Sequence, residues 1–337
     1  MMSNNKIIYV LTAPYYKTGG TELCHQLVYA INQLGGTASI LYKQTCDEKY
    51  VNPAFEKYIT DYAILTEDFY ANNEDVIVIP ESETILIPKF QKATIYLWWM
   101  SVDNYFKWQN LKYVYEEKKF LRTVKYLLTS YKLKKKYLPL NKMDNVRLHL
   151  AQSEYAVDFL KKNGITDIRY LSDFINDDYI LESDNVTSVN KENIVLYNPS
   201  KGLLFTRNII KSAKNITFIA LSGMSNNEIM SWMKKAKVYI DFGAHPGKDR
   251  MPREAAIMGC CIVTGRRGSA SFDDVLIPDK YKFYDTKSNV TSIVQTINDL
   301  LINYNERISE YANYRSKIRN EKKQFYTDVE SVFMNNG

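Results

Sequence analysis

Short apolar runs alternate with amphipathic segments in the first half of the chain. Continuous apolar runs predict buried parallel strands at KIIYVLTAP (6–14), TASILY (37–42), DVIVIPE (75–81), TIYLWWM (94–100) and RLHLAQS (147–153). TELCHQLVYAINQL repeats apolar residues at helical spacing and ends at Gly35, which predicts a helix, and EYAVDFLKKNG predicts another. A strand, a glycine-containing loop, a helix and a second strand open a doubly wound α/β domain.

The second half repeats this alternation. Strands are predicted at NIVLY, ITFIA, VYIDF and CCIVTG, with helices near LLFTRNIIKSA, from Asn227 to Lys235 and at PREAAIMG. The polar stretch 173–193 contains few residues able to form a core and is interpreted as a linker. The predicted organisation is an N-terminal domain over 1–172, a C-terminal domain over 194–310, and a C-terminal helix over 311–337 that packs back toward the N-terminal domain.

A group of charged side chains lies between the predicted strand VYIDF and the helix PREAAIMG. A loop that joins a strand to a helix N-terminus is where α/β folds bind phosphorylated ligands. Gly243 and Gly247 suit close approach of the backbone. The alternative is an ordinary solvated loop. The charged residues are His245, Lys248, Asp249, Arg250, Arg253 and Glu254.

This segment resembles the donor-site signature of GT-B glycosyltransferases, especially family 4 and its relatives. Glu254, Ala255, Ala256 and Gly259 match the family's helix pattern. The resemblance implies an α/β protein of the GT-B fold, with two Rossmann-like domains facing a central cleft. It implies that the N-terminal domain binds the acceptor and that the C-terminal domain binds the nucleotide sugar, with Glu254 hydrogen-bonding its ribose. The family has a further glutamate eight positions upstream, where this chain has Pro246. We therefore interpret the chain as a divergent branch in which His245 and Asp249 serve this loop.

Three other segments extend the resemblance. Gly19 and Gly20 resemble the glycine loop that faces the donor diphosphate, although a plain turn is the alternative. Lys201 in NPSKG matches the lysine that binds the donor phosphates. Ser222 and Gly223 correspond to the loop over the nucleotide base, although Ser225 and Glu228 are also spaced as a capping box.

The candidate catalytic residues are His245 and Asp249, and His245 is expected to donate to the leaving phosphate or to contact the sugar. Fixed cations can neutralise a departing nucleoside diphosphate, and Lys201, Lys248, Arg250 and Arg253 are the candidates. No metal site and no cofactor are predicted, because the three histidines have no recognised ligand partners at short spacing and no Asp-x-Asp ends a strand. The donor-binding candidates are Gly19, Gly20, Lys201, Ser222, Gly223, Lys248, Arg250, Arg253 and Glu254.

Positive charge is concentrated between residues 103 and 137. This stretch contains ten basic and three acidic residues, a net charge of +7, whereas the whole chain carries +6. Interleaved tyrosine, phenylalanine and tryptophan residues are typical of an interfacial helix on anionic lipid. The stretch therefore predicts an anionic membrane surface as a partner. An ordinary surface helix is the alternative, and nucleic acid is not predicted because no recognised binding motif accompanies the charge.

Hydropathy and cysteine usage restrict the class and the location expected for the protein. A mean hydropathy of −0.34 and apolar runs too short to span a bilayer exclude an integral membrane protein. Four cysteines fit neither a disulfide framework nor a metal-ligand spacing. With no signal-peptide pattern at the N-terminus, we expect a cytoplasmic protein that is peripheral on the inner face of the cell membrane.

The predicted function is transfer of a sugar from a nucleotide diphosphate sugar to a growing glycan. The resemblance and the basic aromatic stretch together favour a lipid-linked precursor of a bacterial surface polysaccharide, such as capsule or lipopolysaccharide O-antigen, as acceptor. Two alternatives share the expected fold. They are a nucleotide-sugar 2-epimerase and a GT-B-like subunit that has lost catalysis and binds a partner.

Overall fold

The computed structural model describes residues 6–46, 49–107, 137–186 and 190–334. These residues form two compact units. The first comprises the chain up to Asp173 together with the residues from Lys323 onward, and the second runs from Phe174 to Lys322.

The first unit contains a seven-stranded sheet of order β3-β2-β1-β4-β5-β6-β7. All its pairings are parallel. Val10 in β1 lies opposite Ile40 in β2 and opposite Val78 in β4. Because both faces of these strands are covered, their sequences are nearly continuous apolar runs. The strands are β1 (Ile8–Thr12), β2 (Ala38–Lys43), β3 (Tyr62–Leu65), β4 (Val76–Pro80), β5 (Thr94–Trp99), β6 (Val146–Ala151) and β7 (Ile168–Tyr170).

Helices of the first unit begin at capped positions. Thr18 accepts from the Thr21 amide at the start of α1 (Gly19–Gln33), and Ser153 accepts from the Ala156 amide at the start of α3 (Glu154–Lys162). A shorter helix, α2 (Val102–Lys107), follows β5. The core of this unit includes Leu11, Ile77, Leu97, Trp99 and Leu160, each fully buried.

The second unit contains a five-stranded parallel sheet of order β12-β11-β10-β8-β9. Its strands are β8 (Glu192–Tyr197), β9 (Thr217–Ala220), β10 (Ala236–Asp241), β11 (Cys261–Gly265) and β12 (Lys282–Phe283). Its helices are α4 (Asp177–Ser183), α5 (Leu203–Ser212), α6 (Asn226–Lys235), α7 (Arg250–Ile257), α8 (Val290–Ile302), α9 (Tyr304–Arg307) and α10 (Ala312–Val329), the last of which ends in the first unit.

The unit boundaries differ from the predicted ones. The range 173–193, interpreted as a linker, contains α4, and Ile175 and Tyr179 lie in the core of the second unit. Lys191, counted there as a polar linker residue, is half-buried and donates to the carbonyls of Met233, Ala236 and Met258. Some of its polar residues have structural roles, since Asn176 caps α4 by accepting from the Asp178 amide. The composition alone therefore does not reveal that this stretch is folded.

The second unit also extends beyond residue 310, where the sequence places its end. Tyr311, Tyr314 and Ile318 are buried in its core, and the unit continues to Lys322. From Lys323 onward the chain groups with the first unit, where Asp328 accepts from the amide and hydroxyl of Ser172 at 3.0 and 2.6 Å.

Residues 108–136, which make up most of the basic aromatic stretch, lie outside the described residues. Within the described ranges, no helix combines the length and the apolar composition that crossing a membrane requires.

Candidate functional site

The topology of the second sheet selects one edge as a ligand site. Its strand order reverses between β8 and β10, and in open parallel sheets ligands bind at the carboxyl ends of the strands beside such a reversal. The segment 198–202 follows β8, and the segment 242–249 follows β10. The charged loop recognised in the sequence therefore lies at the topological switch point.

Glycine allows these two segments to meet at the backbone. Gly202 has a φ of +57°, and a Cβ added there would lie 2.0 Å from the carbonyl oxygen of Phe242. Gly243 has a φ of +104°, and a Cβ there would lie 2.5 Å from the Gly202 nitrogen. No other residue fits either position. The contact fixes Lys201 beside the end of β10.

Four side chains converge at this point. The Lys201 ammonium donates to Asp249 Oδ2 and lies 3.2 Å from Asp241 Oδ1. His245 Nδ1 lies 2.8 Å from Asp249 Oδ2, and its Nε2 lies 3.3 Å from the Asp241 carbonyl oxygen. We call Lys201, Asp241, His245 and Asp249 the switch-point cluster.

The charged groups of the cluster stabilise one another. Burial acts to lower the pKa of Lys201, but the carboxylates of Asp241 and Asp249 together raise it above its usual value. Burial acts to raise the pKa of Asp249, but the hydrogen bond from His245 and the charge of Lys201 hold it below its usual value. Tyr239 donates to Asp241 Oδ2 at 2.9 Å, and its own pKa is raised by burial and by that carboxylate. The ammonium is thus held charged and fixed in position.

Members of the cluster differ in their access to solvent. The side chain of His245 is 0% exposed, whereas those of Lys201 and Asp249 are 16% and 26% exposed. Lys201 and Asp249 are therefore the members that can touch a ligand directly. His245, predicted from the sequence to lie at the reacting centre, is placed to orient Asp249.

Asp241, His245 and Asp249 also form a set of metal-type ligands. One ligand atom from each lies within 4.8 Å of the others. The Lys201 ammonium lies among them, 3.3 Å from His245 Nδ1, and supplies positive charge to the carboxylates of Asp241 and Asp249. Sequence reasoning missed this convergence, although the spacing of four residues between successive members was the available signal.

Arg253 and Lys248, predicted as donor ligands, lie in a buried network instead of on an open surface. Arg253 is 0% exposed and donates to Glu321 Oε2 at 2.7 Å and to the carbonyls of Asp249 and Lys248. Lys248 Nζ lies 2.9 Å from Glu321 Oε1. These contacts hold the backbone of the loop that carries Asp249, and they assign both residues a positioning role.

Two helices present their N-termini at the switch point without a side-chain cap. The N-cap residues of α5 and α7, Gly202 and Asp249, make no capping hydrogen bond from their side chains. Helix N-termini without a side-chain cap favour an anion, and the first turn of α5 contains no proline, whereas Pro252 in the first turn of α7 has no amide hydrogen. The predicted residues Arg250 and Glu254 lie in the first two turns of α7, and both are half-buried.

The loop predicted to cover the nucleotide base contains a capping box. Ser225 accepts from the Glu228 amide, and Glu228 accepts from the Ser225 amide at 2.7 Å. Ser222 and Gly223 precede this cap on an exposed turn that follows β9. The box accounts for the spacing of Ser225 and Glu228, and Ser222 and Gly223 remain available to a ligand.

Asp285 is a further acidic group at the same edge that sequence reasoning missed. It follows β12 and accepts from the Gly243 amide at 2.9 Å through Oδ2. Its Oδ1 is buried and has no hydrogen-bond partner among the described residues. Burial raises its pKa. Asp285 thereby braces the same glycine that contacts Gly202.

In the first unit, the predicted glycines begin α1. Gly19 is exposed, Gly20 is half-buried, and Thr18 forms a reciprocal cap with Thr21. The order of the first sheet reverses between β1 and β4, so this loop also lies at a switch point.

Comparison with known proteins finds similar structures but no matching sequence family. No protein-family model matches the chain, and no curated protein sequence matches it. The structure is similar to Alr3699/HepE from Anabaena, solved in complex with UDP-glucose, with a TM-score of 0.60 and 11% identity over 97% of this chain and 99% of that one. It is also similar to the lipopolysaccharide outer core galactosyltransferase WaaB, with a TM-score of 0.62 and 12% identity over 98% and 99% of the two chains.

A third similar structure is the N-terminal domain of trehalose-6-phosphate phosphatase from Candida albicans, with a TM-score of 0.60 and 10% identity over 97% of both chains. The chain has the GT-B fold, which confirms the predicted fold class. Similarity at this identity defines the architecture, whereas function has to be argued from the site.

Proposed function

We propose that this protein is a glycosyltransferase that moves a hexosyl group from a nucleotide diphosphate sugar to a growing glycan without a catalytic metal ion. The observation that carries the proposal is the switch-point cluster, in which an ammonium is fixed between two uncapped helix N-termini at the ligand edge of the second sheet. A fixed cation beside helix N-termini is suited to binding a diphosphate. HepE, solved with UDP-glucose, and the galactosyltransferase WaaB share the fold.

The proposed chemistry is electrostatic stabilisation of the leaving group. As the bond between the sugar and the diphosphate breaks, negative charge grows on the departing oxygen. Lys201 and the N-terminus of α5 would stabilise that charge, with the N-terminus of α7 and Arg250 adding further positive potential. Because hydrogen bonds and ion pairs to Asp241 and Asp249 already hold the ammonium in place, its position needs little reorganisation when the ligand arrives.

Asp249 and His245 have a supporting part in this proposal. Asp249 is the half-buried member that holds Lys201, and His245 orients Asp249 through its contact with Oδ2. Lys248 and Arg253 keep the loop in place. Gly19 and Gly20, at the switch point of the first sheet, are proposed to bind the donor diphosphate, and Ser222 and Gly223 to lie over the base.

Glu254 is proposed to accept hydrogen bonds from the ribose hydroxyls. Loss of a charged acceptor costs roughly 1.5–3 kcal/mol, so Glu254→Gln is expected to weaken nucleotide binding at least tenfold by calorimetry and to leave the melting temperature unchanged. Glu192→Gln, at an exposed glutamate of the same unit, is the matched control. Equal affinities for the wild type and Glu254→Gln would remove Glu254 from the site.

The acceptor is proposed to be a lipid-linked precursor of a bacterial surface glycan, such as capsule or O-antigen, presented at the cytoplasmic face of the membrane. The net charge of +7 over residues 103–137 and its interleaved aromatic residues support this part of the proposal. Nucleic acid is not proposed as a partner.

Binding to anionic vesicles tests the proposed membrane association separately from the proposed sugar transfer. Each lysine near an anionic surface contributes about 1 kcal/mol, so changing Lys132, Lys134, Lys135 and Lys136 to glutamine is expected to release the protein from phosphatidylglycerol vesicles in a flotation assay. Donor hydrolysis should be unaffected, because none of these four lysines is among the proposed donor-binding residues. Failure of the wild type to bind these vesicles at low salt would contradict the membrane assignment.

A further inference from the structure

The loop that follows β1 contains a strained aromatic residue. Tyr15 has a φ of +59°, a conformation that bulky side chains rarely adopt. The Tyr16 amide donates to the Pro14 carbonyl at 2.7 Å, which closes a three-residue turn around Tyr15. A turn of this kind with positive φ at its centre is rare and strained. Strain of this sort persists only where the surroundings impose it, and it is concentrated at functional sites.

Contacts from a separate segment impose the conformation. The Tyr15 amide donates to the Tyr50 carbonyl at 2.7 Å, and Asn52 Nδ2 donates to the Tyr15 carbonyl at 2.8 Å. Thr21 Oγ1 donates to the Tyr16 carbonyl at 2.8 Å, which ties the loop to the start of α1. The backbone of both tyrosines is therefore fixed.

Both tyrosines on this fixed backbone are exposed, and the Lys49 ammonium lies over the Tyr15 ring, 6.0 Å from its centre. Tyr15 is 44% exposed and Tyr16 is 72% exposed. They lie at the carboxyl end of β1, beside the reversal of strand order in the first sheet. Ligands of open parallel sheets bind at this edge.

The size of the aromatic surface limits what it can bind. A stable protein interface needs roughly 800 Å² from each partner, far more than two partly exposed tyrosines provide. A ligand with a single ring-sized apolar face fits this area. A pyranose has one face of C–H groups that can pack on an aromatic ring while its hydroxyls stay hydrated, and the tyrosine hydroxyls can hydrogen-bond at the rim.

We propose that Tyr15 and Tyr16 form a stacking platform for a pyranose ring of the acceptor glycan. The acceptor part of this inference rests on the proposed function. The strained turn holds the platform ready, so that little conformational entropy is lost when a sugar binds. In our proposal Glu254 binds the ribose, Ser222 and Gly223 lie over the base, and Gly19 and Gly20 contact the diphosphate, so no part of the nucleotide is assigned to the two tyrosine rings.

Saturation-transfer NMR with the full-length protein tests the platform. The probes are the methyl pyranosides of glucose, galactose, mannose and N-acetylglucosamine, with uridine as a nucleobase probe. We expect saturation of the ring C–H protons of at least one glycoside. Tyr16→Ala is expected to lower that signal at least fivefold, whereas Tyr16→Phe should retain at least half of it because the ring face is kept.

Tyr70→Ala is the matched control, since Tyr70 is 63% exposed in the same unit. It is expected to behave as the wild type. The platform would be overturned by absence of signal for all four glycosides, by an unchanged signal in Tyr16→Ala, by equal loss in Tyr16→Phe, or by uridine binding in place of the glycosides. Loss of glycoside binding with nucleotide binding intact overturns the platform alone. Absence of nucleotide binding with glycoside binding intact overturns the proposed function alone.

Discussion

Replacing Glu321 with alanine is expected to lower the melting temperature of the second unit by about 10 °C. Glu321 is 4% exposed and pairs with Arg253 at 2.7 Å and with Lys248 at 2.9 Å. Removing one member of a buried ion pair costs roughly 3–5 kcal/mol because the remaining charge is left uncompensated. For a unit of this size each kcal/mol corresponds to about 2–4 °C. Differential scanning calorimetry measures the shift.

Lys322→Ala is the matched control on the same helix. Lys322 pairs with Asp177, and both side chains are about half exposed at 49% and 51%. An exposed pair contributes about 0–1 kcal/mol, so the control should shift the melting temperature by no more than a few degrees. Equal shifts in the two variants would show that the Glu321 network does not hold the loop.

Replacing Lys201 with methionine is expected to weaken binding of a nucleoside diphosphate by about 10–150-fold, which corresponds to roughly 1.5–3 kcal/mol. The variant removes a cation and leaves the carboxylates of Asp241 and Asp249 facing the ligand without compensation. Binding of the corresponding nucleoside, which has no phosphate, should change much less. Donor turnover should fall by about 10²–10³-fold, as for loss of a group that stabilises the leaving charge.

Calorimetry with a panel of UDP, GDP and ADP and their nucleosides measures the binding difference. Lys211→Met, at an exposed lysine in the last turn of α5, is the control. Equal losses for nucleoside and nucleoside diphosphate would mean that Lys201 supports folding and not the phosphates.

The central strands could be predicted from the sequence, whereas three of the four edge strands could not. Strands such as β1, β4 and β10 are buried on both faces, so each has a continuous apolar run. β3, β7 and β12 lie at sheet edges and contain only two to four residues. Their exposed positions break the apolar pattern, and their pairing depends on strands distant in sequence.

The site shows the same division. The sequence predicted the charged loop, because charge beside glycine at a strand end is a local signal, and Lys201 was expected from the resemblance to GT-B glycosyltransferases. It did not predict Asp241, which was assigned only to a strand, or Glu321, which lies 68 residues from Arg253 and meets it only in the folded unit. The burial of His245 also follows from loop packing at Gly268, where an added Cβ would lie 2.0 Å from the His245 carbonyl oxygen.

The most direct test of the account is to mix the purified wild-type protein with a panel of nucleotide sugars, without acceptor, and to follow the products by NMR. We predict slow hydrolysis of one donor to a nucleoside diphosphate and a free sugar that keeps the donor's configuration at C2. This hydrolysis should be lost in Lys201→Met. Release of a sugar inverted at C2 would identify a 2-epimerase instead. The absence of both hydrolysis and nucleotide binding across the panel would contradict a glycosyltransferase and leave a GT-B protein that binds a partner without catalysis.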